Sequence, residues 1–166
     1  MAIRPAVDAD VPGIRECVRA AYAVYLGRLD LPPEPLSHDY AAQVRDHLTH
    51  VEVDGTVRGV LVLFDRADHL FVENLAVHPA DQGRGIGSRL LDYSANRARG
   101  LGRAELRLCT NERMTENLRY YAARGFREDR RALENGRARV FLSKRVGPGA
   151  RRDPVAPIRE LSGPSD

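Results

Sequence analysis

Gln82-Gly83-Arg84-Gly85-Ile86-Gly87-Ser88 is a glycine-rich turn set between two regular segments. The apolar run His69-Leu70-Phe71-Val72-Glu73-Asn74-Leu75-Ala76-Val77 precedes it across His78-Pro79-Ala80-Asp81 and reads as a strand. A helical segment from about Ser88 to Arg99 follows. Strand, turn and helix N-terminus in that order aim several unpaired backbone N–H groups at one point, where an anion can bind. The glycines let the main chain approach such an anion closely and adopt φ > 0 without strain. Arg84, inside the turn, offers a permanently charged fork for phosphate oxygens. Residues 82–88 are therefore a candidate pyrophosphate site.

Two familiar phosphate loops compete for this stretch. A P-loop requires Lys-Ser/Thr after its last glycine, whereas Gly87 is followed by Ser88-Arg89. A dinucleotide fingerprint requires Gly-x-Gly-x-x-Gly and an acidic residue about twenty positions on. Gly83-x-Gly85 has Ser88 where the last glycine belongs, although Glu105 lies near the acidic offset. A plain strand–helix connection, with glycines that only relieve crowding, is the bland alternative.

The 166 residues suffice for one well-buried core and fall short of two ordinary domains. At 43% hydrophobic and 30% charged the chain reads as globular, and a net charge of +3 does not demand nucleic acid. Its cations are nearly all arginine (Lys144 is the lone lysine) and are scattered as on a solvated surface. No run of about twenty apolar residues is present, so no membrane span is expected. The stretch after Met1 meets Asp8 and Asp10 too early for a signal peptide. Cys17 and Cys109 have no motif spacing and read as free thiols in a reducing cytoplasm. His47 and His50 are spaced to share a helix face, but no ligand set surrounds them, and no metal is expected.

Along the chain, a short strand at Ala2–Arg4 leads to a helix near Asp8, capped by Asp8 or Asp10. Ile14, Val18, Ala21, Tyr22, Tyr25 and Leu26 form its apolar face. Three prolines between Asp30 and Pro35 break the chain before a second helix, from roughly Ser37 to Leu48. Residues 50–53 and 57–64 flank Asp54-Gly55 as a hairpin, and strand 69–77 has the apolar character of a central strand. After the glycine turn and its helix come a strand at 103–110, a helix at 115–123 stopped by Gly125, and a hairpin around Asn135-Gly136. The order β-α-α-β-β-β-α-β-α-β-β predicts an α/β domain with a mixed sheet over residues 1–146. A three-strand meander ahead of the phosphate turn argues further against a dinucleotide fold. From Gly147 to Asp166, proline, glycine and charge predict a disordered tail.

These residues resemble the GCN5-related N-acetyltransferase (GNAT) superfamily. Its pyrophosphate signature, Gln/Arg-x-x-Gly-x-Gly/Ala, is matched by Gln82 to Gly87, and Asn74 to Pro79 is similar to the family's fourth strand and its exit. Asn117 to Phe126 resembles the family's later helix, with Tyr121 five residues before the Phe126 of Gly125-Phe126. The resemblance covers roughly residues 2–145. It implies a GNAT-like sheet with splayed fourth and fifth strands, and acetyl-CoA as co-substrate, without a metal. It also implies direct transfer of the acetyl group to a primary amine, so Cys109 need not act as a nucleophile. Gly83, Gly85, Gly87 and Ser88 would present N–H groups to the pyrophosphate. Leu75, Ala76 and Val77 would pair with the pantetheine arm as with an added strand, Val77 N–H facing the thioester carbonyl.

Tyr121 is the candidate general acid for the departing thiolate, with packing as its alternative role and Tyr120 as the neighbour that would face the core. Glu73 is the candidate base, because an unpaired carboxylate among Phe71, Val72 and Leu75 would be costly to bury; a structural ion pair with an arginine explains it equally well. Neighbouring Asn74 would point to the other face. Asn111 and Asn117 would bond to the pantetheine or serve as cap and turn residues. By the resemblance, Tyr22 to Tyr40 roofs the acceptor site, with Tyr22, Tyr25, Glu34 and Tyr40 as substrate contacts. Its acidic groups suit a small-molecule, amino-acid or peptide amine. A homodimer through late strands is in keeping with the family; neither nucleic acid nor a membrane is expected as a partner. A non-catalytic acyl-CoA-binding regulatory module is the alternative function.

Overall fold

The computed structural model describes residues 2–147. The expected tail therefore lies, past Gly147, outside the described residues. The elements are β1 (Ala2–Pro5), α1 (Val11–Tyr22), α2 (Tyr40–Arg45), β2 (Thr49–Asp54), β3 (Thr56–Asp65), β4 (Leu70–Val77), α3 (Ile86–Gly100), β5 (Glu105–Asn111), α4 (Thr115–Ala123), β6 (Arg127–Glu134) and β7 (Arg137–Arg145). Among the described residues seven strands form one mixed sheet in the order β1-β2-β3-β4-β5-β7-β6.

The decisive feature is the seam between β4 and β5. They run parallel and pair only at Leu70–Leu106 and Phe71–Arg107, then diverge. The first half of the sheet is an antiparallel meander and the second is β5 with the β6–β7 hairpin. The backbone edge of β4 beyond Phe71 is thus left open along a V-shaped gap.

A bulge interrupts β4. Val62 pairs with Asn74 and Leu63 with Val72, so Glu73 is the extra residue. This overturns the expectation that Glu73 and Asn74 face opposite sides. Both turn toward α1 and α2: Asn74 bonds to Tyr22 and Tyr40, and Glu73 approaches His38, just ahead of α2.

The core lies on both faces of the sheet. Ile14 and Val18 of α1, Val44 of α2, Leu61 and Leu63 of β3, and Leu90 and Ala98 of α3 are nearly or wholly buried. Four local expectations fail for identifiable reasons. Asp10 accepts from Val7 N–H and pairs with Arg4, and its side chain caps no N–H of α1. Leu26 is exposed because α1 tightens into a 3-10 turn at Ala23–Tyr25, which rotates it off the apolar face. The second helix is only six residues long, capped by the Asp39 carboxylate on Ala42 N–H and preceded by a separate 3-10 turn at Glu34–Ser37. His47 then adopts φ 60° and His50 lies on β2, so the two histidines share no helix face.

Candidate active site

Two cavities, of about 680 and 630 Å³, open from the gap between β4 and β5. One is bounded by the glycine turn, the end of β4 and the outer face of α4. The other lies beneath the loop between α1 and α2, against β5 and β7. Tyr22, Leu75, Asn117 and Tyr121 line both and mark the point where they meet.

The glycine turn has the geometry its sequence implies. Gly83 and Gly85 sit at φ 82° and 79°, and Gly85 is the N-cap of the 15-residue α3. The N–H groups of Ile86, Gly87 and Ser88 belong to the first turn and have no intrahelical acceptor. Gly87 is required for a different reason: a Cβ there would collide with the Tyr120 hydroxyl. Gln82, Gly83, Gly85, Ile86, Gly87 and Ser88 all line the first cavity, in an arrangement suited to a diphosphate. Arg84 is the exception. Its side chain is exposed and turns to Asp81 at 3.3 Å, which Arg58 already holds at 2.9 Å.

The open edge of β4 can be read from one bond. His78 N–H donates to Arg58 O at 2.9 Å, on the β3 side. Backbone N–H groups alternate along a strand, so those of Val77 and Leu75 point the other way, into the gap.

Tyr121 is buried, with its ring edge-on to Phe126 and to Tyr120, both at 5.4 Å. Burial raises its phenol well above the ordinary value, so it stays protonated at neutral pH. Tyr120 faces the glycine turn instead of the core, and Arg124 stacks on its ring at 3.4 Å. Asn117 points at Thr110 and Met114, while Asn111 accepts from Arg113 N–H and lines only the second cavity.

In that second cavity the Glu73 carboxylate lies 3.7 Å from His38 Nε2, and both side chains are about one-fifth exposed. Burial pulls His38 below its ordinary pKa, against the pull of Glu34. Glu34 is held by Arg139 at 2.6 Å and Arg137 at 3.5 Å, which ties the α1–α2 loop to β7. The Cys109 thiol, 3.5 Å from Arg139 Nη1, is pushed up by burial and is not a ready thiolate.

Of the expected substrate contacts, Tyr22 lies at the junction and Glu34 in the second cavity, while Tyr25 lines the first instead. Tyr40 lines neither. It is 2% exposed, donates to Pro35 O at 2.6 Å and accepts from Asn74, which makes it a brace for the loop. Two residues outside the expected set of site residues stand out: His38 and Arg124. The histidine had no motif around it; the arginine lay inside a quoted motif, one place before its glycine.

The acetyltransferase (GNAT) family model matches residues 15–126. The chain belongs to the GNAT acetyltransferase family. Among solved structures it is similar to the PaiA N-acetyltransferase of Thermoplasma acidophilum in complex with coenzyme A, with a TM-score of 0.74 and 17% identity over 87% of this chain and 98% of that one. At that identity the likeness speaks for the fold alone. The IAA acetyltransferase of Bacillus cereus is 27% identical, with a TM-score of 0.63 over 87% and 98% of the two chains. The N-acetylglutamate synthase of Neisseria gonorrhoeae, complexed with coenzyme A and N-acetyl-glutamate, is 26% identical with a TM-score of 0.67, over 87% of this chain and 35% of that one. A sequence comparison with curated proteins gives no match. The GNAT fold, with its seven-stranded mixed sheet and open fourth strand, is as expected. Among the described residues no helix is long and apolar enough to cross a membrane.

Proposed function

We propose that this GNAT protein is an acetyl-CoA-dependent N-acetyltransferase that passes the acetyl group directly to a primary amine of a small molecule, amino acid or peptide. The observation that carries this reading is the meeting of two cavities at Tyr121: a diphosphate cradle opens into one, and a carboxylate with an imidazole faces the other. Acetyl-CoA would supply a thioester whose carbonyl carbon is open to attack by an amine. The amides of residues 83 and 85–88 would hold its diphosphate, and the Leu75 and Val77 N–H groups its pantetheine arm. Val77 N–H would face the thioester carbonyl and stabilise the negative charge that develops on its oxygen.

Glu73 and His38 would receive the acceptor. A 3.7 Å gap is too long for a direct hydrogen bond and leaves room for one nitrogen bonded to both. Glu73 takes the ammonium proton, and Tyr121 gives its phenolic proton to the departing thiolate. Coenzyme A accompanies two of the similar structures, in one of them together with N-acetyl-glutamate. Free thiols at Cys17 and Cys109 fit a cytoplasmic location, and the edge of β6, unpaired among the described residues, would admit a second copy.

Calorimetry with acetyl-CoA tests the donor. The wild type should bind, and Gly85→Asp, which places a Cβ at φ 79° and a charge against the diphosphate, should not. A melting temperature raised by ATP or NAD but not by acetyl-CoA would replace this reading with a nucleotide-binding one. A screen of amines for thiol release from acetyl-CoA identifies the acceptor class.

A further inference from the structure

Arg124 closes the C-terminal end of α4, across the first cavity from the glycine turn. Its Nε and Nη2 donate to Ser88 Oγ at 3.1 and 3.0 Å, its Nη1 donates to Tyr120 O at 3.0 Å, and its plane covers the Tyr120 ring at 3.4 Å. Three of five N–H donors are thus engaged, and every acceptor is neutral. Among the described residues Arg124 has no carboxylate partner, unlike Arg58, Arg84 and Arg89 around the same turn.

The consequence for Ser88 is specific. Its hydroxyl oxygen accepts from two N–H groups on one edge of the guanidinium. The hydroxyl proton is left to donate, and no described residue accepts it. Ser88 sits in the first turn of α3, beside the unpartnered main-chain amides. A cation fixed by stacking, a hydroxyl with its proton available to donate and a helix N-terminus therefore converge on one spot.

Resting on the acyl-CoA reading above, we infer that Arg124, acting with Ser88, is the side-chain anchor for the diphosphate of the donor, the role that Arg84 holds in the sequence pattern but leaves in the fold. The two spare N–H groups of Arg124 bond to phosphate oxygen, and the Ser88 hydroxyl adds a third donor. The stack on Tyr120 fixes the guanidinium before the ligand arrives, so little freedom is lost on binding. The protein should consequently select donors that carry the nucleotide half of coenzyme A over bare pantetheine thioesters.

The test compares acetyl-CoA with S-acetylpantetheine, which lacks the diphosphate, in the full chain. Arg124→Gln should raise the Kd for coenzyme A tenfold or more, and should lower the ratio of kcat/KM for acetyl-CoA over S-acetylpantetheine by a similar factor. Arg124→Lys keeps the charge and stem but loses the fork, and should show a smaller rise at a wild-type melting temperature. Ser88→Ala should weaken binding by a fewfold, with the double variant falling short of the product because the two residues share bonds. Coenzyme A binding in Arg124→Gln equal to the wild type, or an equal loss on both donors, overturns the inference. Inorganic pyrophosphate separates this from the parent reading. If the wild type binds pyrophosphate in an Arg124-dependent manner and ignores coenzyme A, the anchor stands and the acyltransferase falls.

Discussion

Tyr121 is held by aromatic edges, and among the described residues its hydroxyl has no hydrogen-bond partner, leaving that group directed at the junction of the cavities. Since burial keeps the phenol protonated across the neutral range, it is suited to give a proton and not to take one. Tyr121→Phe keeps both ring contacts and removes only the proton. Turnover should fall by about 10²-fold, the lower end for a general acid, with coenzyme A affinity within twofold of the wild type. Steady-state kinetics with any acceptor found in the screen reads this, and unaltered kcat would leave Tyr121 a packing residue. The Tyr120–Tyr121 pair also shows what single residues disclose in sequence. The five-residue interval to Phe126 picked out α4, which lines both cavities, but it assigned Tyr120 to the core, whereas Gly87 admits it to the glycine turn. Arg84 and Arg124 differ in the same way: which arginine meets the cavity depends on where Asp81 and Ser88 lie in space, and spacing along the chain does not encode that.

The elements themselves were largely legible, because their signals are local. Asp54-Gly55, Asn135-Gly136 and Gly125 each carry positive φ at the turn or helix end they announce. The β4 bulge was not, because an extra residue in a strand is set by pairing with β3 and leaves no periodicity of its own. It brings Glu73 to the side of α1 and α2 together with Asn74, so the proposed base owes its position to a tertiary irregularity. Helix α3 offers a second case. Its N-terminus is pinned to the sheet by Arg89, which bonds the Glu52 carboxylate of β2 at 2.7 and 3.0 Å and also Arg84 O at 2.9 Å. Glu52 is 1% exposed, so removing its partner strands a buried charge. Arg89→Ala should lower the urea midpoint of unfolding, since Glu52 then loses its only fixed charge partner among the described residues. It should also loosen the phosphate turn, so coenzyme A affinity falls with it. A variant as stable as the wild type would show that water reaches Glu52.

Across the fold, the two halves of the sheet meet at only two residue pairs, so the gap that makes the site also leaves the molecule dependent on its flanking layers. The layer of α3 over β2 and β3 contains a group whose charge state opposes folding in acid. His50 is 2% exposed, its ring lies 5.0 Å from that of Tyr93, and among the described residues its Nδ1 has no hydrogen-bond partner. Burial first, and the nearby Arg97 cation second, lower its pKa from 6.5 to about 4. Between those values the unfolded chain binds a proton that the folded one refuses, so stability rises with pH across this window. The contribution is fully present above pH 6.5 and is lost as pH falls toward about 4. At ~1.4 kcal/mol per unit this amounts to about 3 kcal/mol, a large share of the 5–15 typical of a domain. Burial lowers His38 as well, which adds to the loss with the same sign. Urea melts at pH 7 and pH 4.5 should therefore differ by about 2–3 kcal/mol in the wild type, and His50→Gln, which cannot titrate, should remove most of that difference. An equal acid sensitivity in the variant would mean that carboxylates govern the transition, with His50 a bystander.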